Sequence, residues 1–196
     1  RKDLSGNGLH VTQSDAAKKA KIGPSGGVIY DGTDDVHKNN LVADITSLTQ
    51  VIVAQTNGTT AMAVQFFQSS RLRAYILALD TRRWQAFIAA SGVNAILEGT
   101  VVAGVTDPRD KHVVTLNWDG STAVLRLDGV EQISKTSTGT ISISTGGLSV
   151  GGSFQETLHI GGNLDAAVVA YNNSATLADI EQIEQTLADR HGVTLP

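Results

Sequence analysis

Leu164-Asp165-Ala166-Ala167-Val168-Val169-Ala170-Tyr171, continued through Asn172-Asn173-Ser174 into the run from Thr176 to His191, is the stretch that decides the fold. Its first part reads as a strand and its second as a helix. Leu177, Ile180, Ile183 and Leu187 fall at helical spacing and make one apolar stripe. Thr176 and Asp179 form a capping-box pair at the start, and Gly192 offers a left-handed terminator after His191. The stripe is expected to pack against the back of a sheet, leaving Asp179, Glu181, Glu184, Gln185 and Asp189 in water. Docking of a partner is the other use of such a helix.

Almost everything upstream reads as β. His112 to Trp118, Thr122 to Leu127 and Val130 to Ile133 are separated by Asp119-Gly120 and Asp128-Gly129, which supply the positive φ angles of tight hairpins. In the second of these strands Ala123, Leu125 and Leu127 alternate with Val124, Arg126 and Asp128, so one face is expected in a core and the other largely in water. Thr49 to Gln55 and Ala61 to Phe67 are apolar on both faces, as befits strands inside a layered structure, with a turn at Asn57-Gly58 between them. Tyr75 to Leu79 and Trp84 to Ala89 add two more. Arg1 to Gly27 reads mostly as loop, with a short helix near Ala16 to Ala20. The expectation is one all-β domain over residues 1–196, built as two stacked antiparallel sheets and closed by one helix.

Composition narrows the function. The chain has no cysteine, so thiolate metal chemistry and disulfides are out, and 20 glycines against 3 prolines suit many short strands with tight turns. A formal charge of −4 with scattered cations is a poor footprint for nucleic acid. No apolar run reaches the roughly 18 residues of a membrane span, and the opening residues do not read as a signal peptide, so no membrane insertion is expected.

Taken in order, Asp3-Leu4-Ser5-Gly6-Asn7-Gly8, Thr12-Gln13, Tyr30-Asp31-Gly32-Thr33-Asp34-Asp35, Leu148-Ser149-Val150-Gly151-Gly152 and the closing strand and helix resemble a known family. They look like the laminin-G-like, concanavalin A-like jelly-roll domains of tailed-phage virion proteins and bacterial surface proteins. The resemblance implies a two-sheet antiparallel jelly roll with one C-terminal amphipathic helix. It implies a noncatalytic structural, decoration or adhesion module on a virion surface, partnered by other virion or surface subunits, with lectin-like binding of host glycan as the alternative. It also implies that a strand and a Trp-containing turn precede Arg1. Ala167 stands where such domains usually carry an acid, so no ligand role is transferred to that strand.

Enzymatic readings fare less well. The Glu-x-Asp-x-x-Glu strand of laminarinase-like hydrolases, with its paired carboxylates, is absent; the glutamates are Glu98, Glu131, Glu156, Glu181 and Glu184. A polysaccharide lyase would need Tyr75, Arg73 and His112 to meet across strands. Gly147-Leu148-Ser149-Val150-Gly151 satisfies Gly-x-Ser-x-Gly, with Asp165 and His191 following in hydrolase order, but no helical pattern follows the serine as the nucleophile elbow requires.

Sugar sites set an aromatic ring against the apolar face of a pyranose. The candidates are Trp118, expected exposed before the Asp119-Gly120 turn, with Tyr75 and Arg73; Trp84 is expected in the core. Asp31, Asp34 and Asp35 offer oxygen ligands at loop spacing that suits Ca²⁺, and the same spacing suits an aspartate-rich turn capping its own backbone. No other cofactor is implied. The histidines His10, His37, His112, His159 and His191 show no metal-ligand pairing.

Overall fold

A computed structural model describes residues 13–16, 19, 21–22, 28–31, 36–40, 43–56, 61–68, 71–78, 83–90, 94–100, 111–144, 146–151, 161–173 and 175–196. Among these, 7 strands form the first sheet, in the order β1 (Lys21–Ile22), β2 (Val28–Asp31), β15 (Gly161–Tyr171), β5 (Leu48–Thr56), β10 (His112–Trp118), β11 (Thr122–Leu127), β12 (Val130–Thr136). The second sheet has 6, in the order β3 (His37–Asn40), β14 (Gly146–Val150), β6 (Ala61–Gln68), β7 (Arg71–Ala78), β8 (Arg83–Ala89), β9 (Asn94–Thr100). β4 (Ala43–Ile45) and β13 (Ile141–Ile143) pair separately, and every ladder is antiparallel. With α1 (Leu177–His191) following β15, this is an all-β two-sheet jelly-roll sandwich closed by one helix.

The meander forms where its turn residues put it. Asp128 and Gly129 both take positive φ, 48° and 82°, the geometry that matches a two-residue loop to the strand twist. At the preceding turn the Asp119 carboxylate accepts from the Ser121 and Thr122 amides, each at 2.8 Å. Gly120 there has φ of 94°, and a Cβ would stand 2.6 Å from the Thr46 carbonyl oxygen, so only glycine fits. The expected strands run somewhat longer in the structure, as at β12, and β1 falls in the stretch read as loop. The turn at Asn57-Gly58 and most of the short helix near Ala16 to Ala20 lie outside the described residues.

β5 shows why its sequence is apolar on both faces. Leu48, Ile52 and Ala54 enter the layer between the sheets with Val64, Ile76, Trp84, Leu116 and Leu125. Val51 and Val53 point the other way and are covered, with Val113, by Leu187 and Ala188 of α1. Each of the valines, leucines and isoleucines among them contributes roughly 1.5–3 kcal/mol against its exposed state.

The helix ends behave as expected. The Thr176 hydroxyl accepts from the Asp179 amide at 3.2 Å, the Asp179 carboxylate accepts from the Thr176 amide at 2.9 Å, and Gly192 closes the helix at φ 70°, ψ 34°. Asp179, Glu181, Gln185 and Asp189 are exposed. Two expectations are overturned on its inner face. Glu184 is 1% exposed rather than solvated, and Arg126, on the face of β11 expected in water, is buried beneath it. The cause is their mutual satisfaction: Arg126 Nε and Nη2 donate to the Glu184 carboxylate at 3.0 and 3.1 Å, and the Thr115 hydroxyl donates to it at 2.7 Å. Leu177, counted in the apolar stripe, is exposed instead.

Candidate functional site

Trp118 is not at the surface. It shares strand parity with Val114 and Leu116, so it points between the sheets, is fully buried, and its indole N–H donates to the Ser137 carbonyl at 2.6 Å. The turn after it begins too late to free the ring. Trp84 lies in the same layer, as expected.

Tyr75 is placed differently. Ala74 and Ile76 on β7, Ala86 and Ile88 on β8, and Ala95 and Leu97 on β9 all enter the core. Alternation therefore turns Tyr75, Phe87 and Ile96 to the outer face of the second sheet. The ladder register sets them side by side, Tyr75 opposite Phe87 and Phe87 opposite Ile96. The Tyr75 and Phe87 rings stack with centroids 5.2 Å apart and planes 23° apart, and the Tyr75 hydroxyl donates to Gln85 Oε1 at 2.6 Å. Exposure rises along the row, from Tyr75 at 7% through a half-buried Phe87 to Ile96 at 49%. The result is an apolar strip with one aromatic ring held flat against another. Phe87 and Ile96 escaped the sequence reading because neither stands out alone; only the register joins them to Tyr75.

Arg73 lies on β7 at an irregularity where β6 passes from pairing with Ala74 to pairing with Leu72. Its side chain is outside the described residues. So are Asp34, Asp35 and the side chain of Asp31, the proposed Ca²⁺ ligands. His112, the third lyase candidate, does not meet Tyr75. It is buried in the first sheet, with Nδ1 2.8 Å from the Asp128 carboxylate, while the Asp128 carboxylate also accepts from the Val113 amide at 2.9 Å.

The hydrolase-like trio is split in an informative way. Asp165 and His191 do come together, Oδ2 to Nδ1 at 4.0 Å, and Lys111 Nζ lies 2.6 Å from the same oxygen. Ser149, however, sits fully buried inside β14 of the other sheet, within a strand rather than at its end. A buried serine inside a strand is not placed as a nucleophile elbow requires.

No protein-family model and no curated protein matches the sequence. Solved structures match the fold. The HCR/D F1240A mutant superposes with a TM-score of 0.68 at 11% identity, over 94% of this chain and 48% of that one. The binding domain of Paraclostridial Mosquitocidal Protein 1 gives 0.66 at 13% identity, over 98% of this chain and 52% of that one. The present chain thus spans about half the length of either. The CBM40 of the Ruminococcus gnavus IT-sialidase, bound to α2,3-sialyllactose, gives 0.59 at 11% identity, over 81% of this chain and 96% of that one. The class these likenesses define is the jelly-roll β-sandwich. Among the described residues, no helix is long and apolar enough to cross a membrane.

Proposed function

We propose that this chain is a noncatalytic carbohydrate-binding module that takes its ligand on the outer face of the second sheet, on Phe87 and Ile96, with the buried Tyr75 ring stacked behind Phe87 to hold it in place. The observation that carries the reading is the row itself: three apolar side chains on adjacent strands, one ring locked by a hydrogen bond and stacked on the next. A pyranose offers a flat patch of C–H groups that fits such a strip, and a pre-ordered ring loses little entropy on binding. The similar sandwich of the Ruminococcus gnavus CBM40 supports the choice of ligand class.

A glycan array followed by calorimetry tests it. Phe87→Ala is expected to weaken binding about two- to tenfold, from the roughly 0.5–1.5 kcal/mol of a ring contact, and Ile96→Lys to weaken it with the fold intact by circular dichroism. Unchanged affinity in both variants would overturn the site; no saturable binding to any glycan would overturn the function.

The setting rests on the ordered segments that resemble phage and bacterial surface domains. In it the module stands on a virion or cell surface, outside the cell, against neighbouring subunits, and Asp31, Asp34 and Asp35 take a Ca²⁺ ion. Mass spectrometry of purified particles tests the first part, and a calcium-dependent rise in melting temperature the second.

A further inference from the structure

The end of α1 meets the first sheet through charges rather than apolar surface alone. Asp165 stands at the irregularity where the β15 ladder shifts between Leu164 and Ala166, and its side chain is 2% exposed. Lys111, immediately before β10, forms an ion pair with one carboxylate oxygen, Nζ 2.6 Å away, without the geometry of a hydrogen bond. His191, the last residue of α1 and 13% exposed, faces the same oxygen at 4.0 Å, beyond hydrogen-bond reach. Just past it, the Val193 amide donates to the Ala188 carbonyl at 2.9 Å, and Val193 and Leu195 pack with Leu187 and Ala188 over Val51, Val53 and Val113.

We propose that His191, seated on the Asp165–Lys111 pair, is a proton-sensitive clasp whose charging releases the last turn of α1 and the segment after it from the first sheet. Among the described residues, the charged groups facing the imidazole are Asp165 on β15, Lys111 before β10, and Arg190 beside it on α1. The carboxylate already has Lys111 against it, so a proton on His191 would set a second cation against one anion whose own side chain is 2% exposed. Burial first, then Lys111 and Arg190, hold the imidazole below its ordinary 6.5, against the opposing pull of Asp165. The helix C-terminus favours a cation and acts with Asp165 against this shift. The sign follows: the released state, with a normal imidazole, binds the proton more readily than the docked state. Docking is therefore at full strength above pH 6.5 and weakens as pH falls through the lowered docked value. What is uncovered is the apolar strip of Val51, Val53 and Val113.

Amide hydrogen exchange on the intact chain between pH 7.5 and pH 5 tests this. After correction for intrinsic rates, the opening constant at Ala188 to Val193 is expected to rise by up to about tenfold per pH unit below 6.5, while Val114 and Leu125 stay protected. His191→Gln should flatten the dependence. Lys111→Met should reverse it, because among the described residues the charged imidazole is then the partner left to Asp165. A pH-independent opening in the native chain, or a dependence that survives His191→Gln, would overturn the proposal.

Discussion

Trp118 and Gln50 lie on neighbouring strands in the same inner layer, and the fold treats their polar groups in opposite ways. The single donor of Trp118 is met by the Ser137 carbonyl. The Gln50 carboxamide, fully buried on a strand position flanked by Leu116 and Val169, finds a partner for neither its nitrogen nor its oxygen among the described protein atoms. An unpaired buried polar group costs about 1–3 kcal/mol, and an apolar side chain of similar size removes that cost. Gln50→Leu is therefore expected to raise the urea midpoint, by a stability gain on the order of 1 kcal/mol; a lowered midpoint would show the carboxamide to be bonded in solution. The burial of position 50 was legible as part of an apolar run, but the isolation of its amide was not, because that depends on what the facing sheet brings to it.

At the scale of the element, α1 shows how far local chemistry reaches. Its cap and terminator were readable because each involves residues within a few positions of one another. Glu184 was misread because its partners, Arg126 and Thr115, lie 58 and 69 residues away. A charge on a helix is solvated by default and buried only when a matching group waits on the surface it covers. Glu184→Ala is expected to cost up to about 3–5 kcal/mol, since it leaves a buried guanidinium with only the Gly129 carbonyl and Glu181 at 3.7 Å among its described partners. Arg126→Met combined with Glu184→Leu should recover most of that loss, and a double-mutant cycle in urea measures the coupling. Equal losses in the single and double variants would mean that packing, and not the ion pair, holds the helix.

Over the whole molecule, α1 is a structural layer rather than an appendage. A chain cut before Thr176 would bare Val51, Val53 and Val113 and strip Arg126 of its carboxylate partner. Such a chain is expected to bind a hydrophobic dye and to lose its cooperative thermal transition; a sharp transition near that of the full chain would show that the sandwich stands without the helix. The sandwich class, the meander of β10 to β12, the closing helix and its caps were all determined by the sequence alone, because alternation, turn dihedrals and capping act between residues close along the chain. The site was not. Trp118 was expected outside because it precedes a turn, and strand parity together with the Ser137 carbonyl drew it in. Tyr75 was noticed alone, and only the register of β7, β8 and β9 made it one end of a strip with Phe87 and Ile96. Tertiary structure decided those matters because they depend on which strands lie side by side and which face a sheet leaves uncovered, and neither is written in any local run of residues.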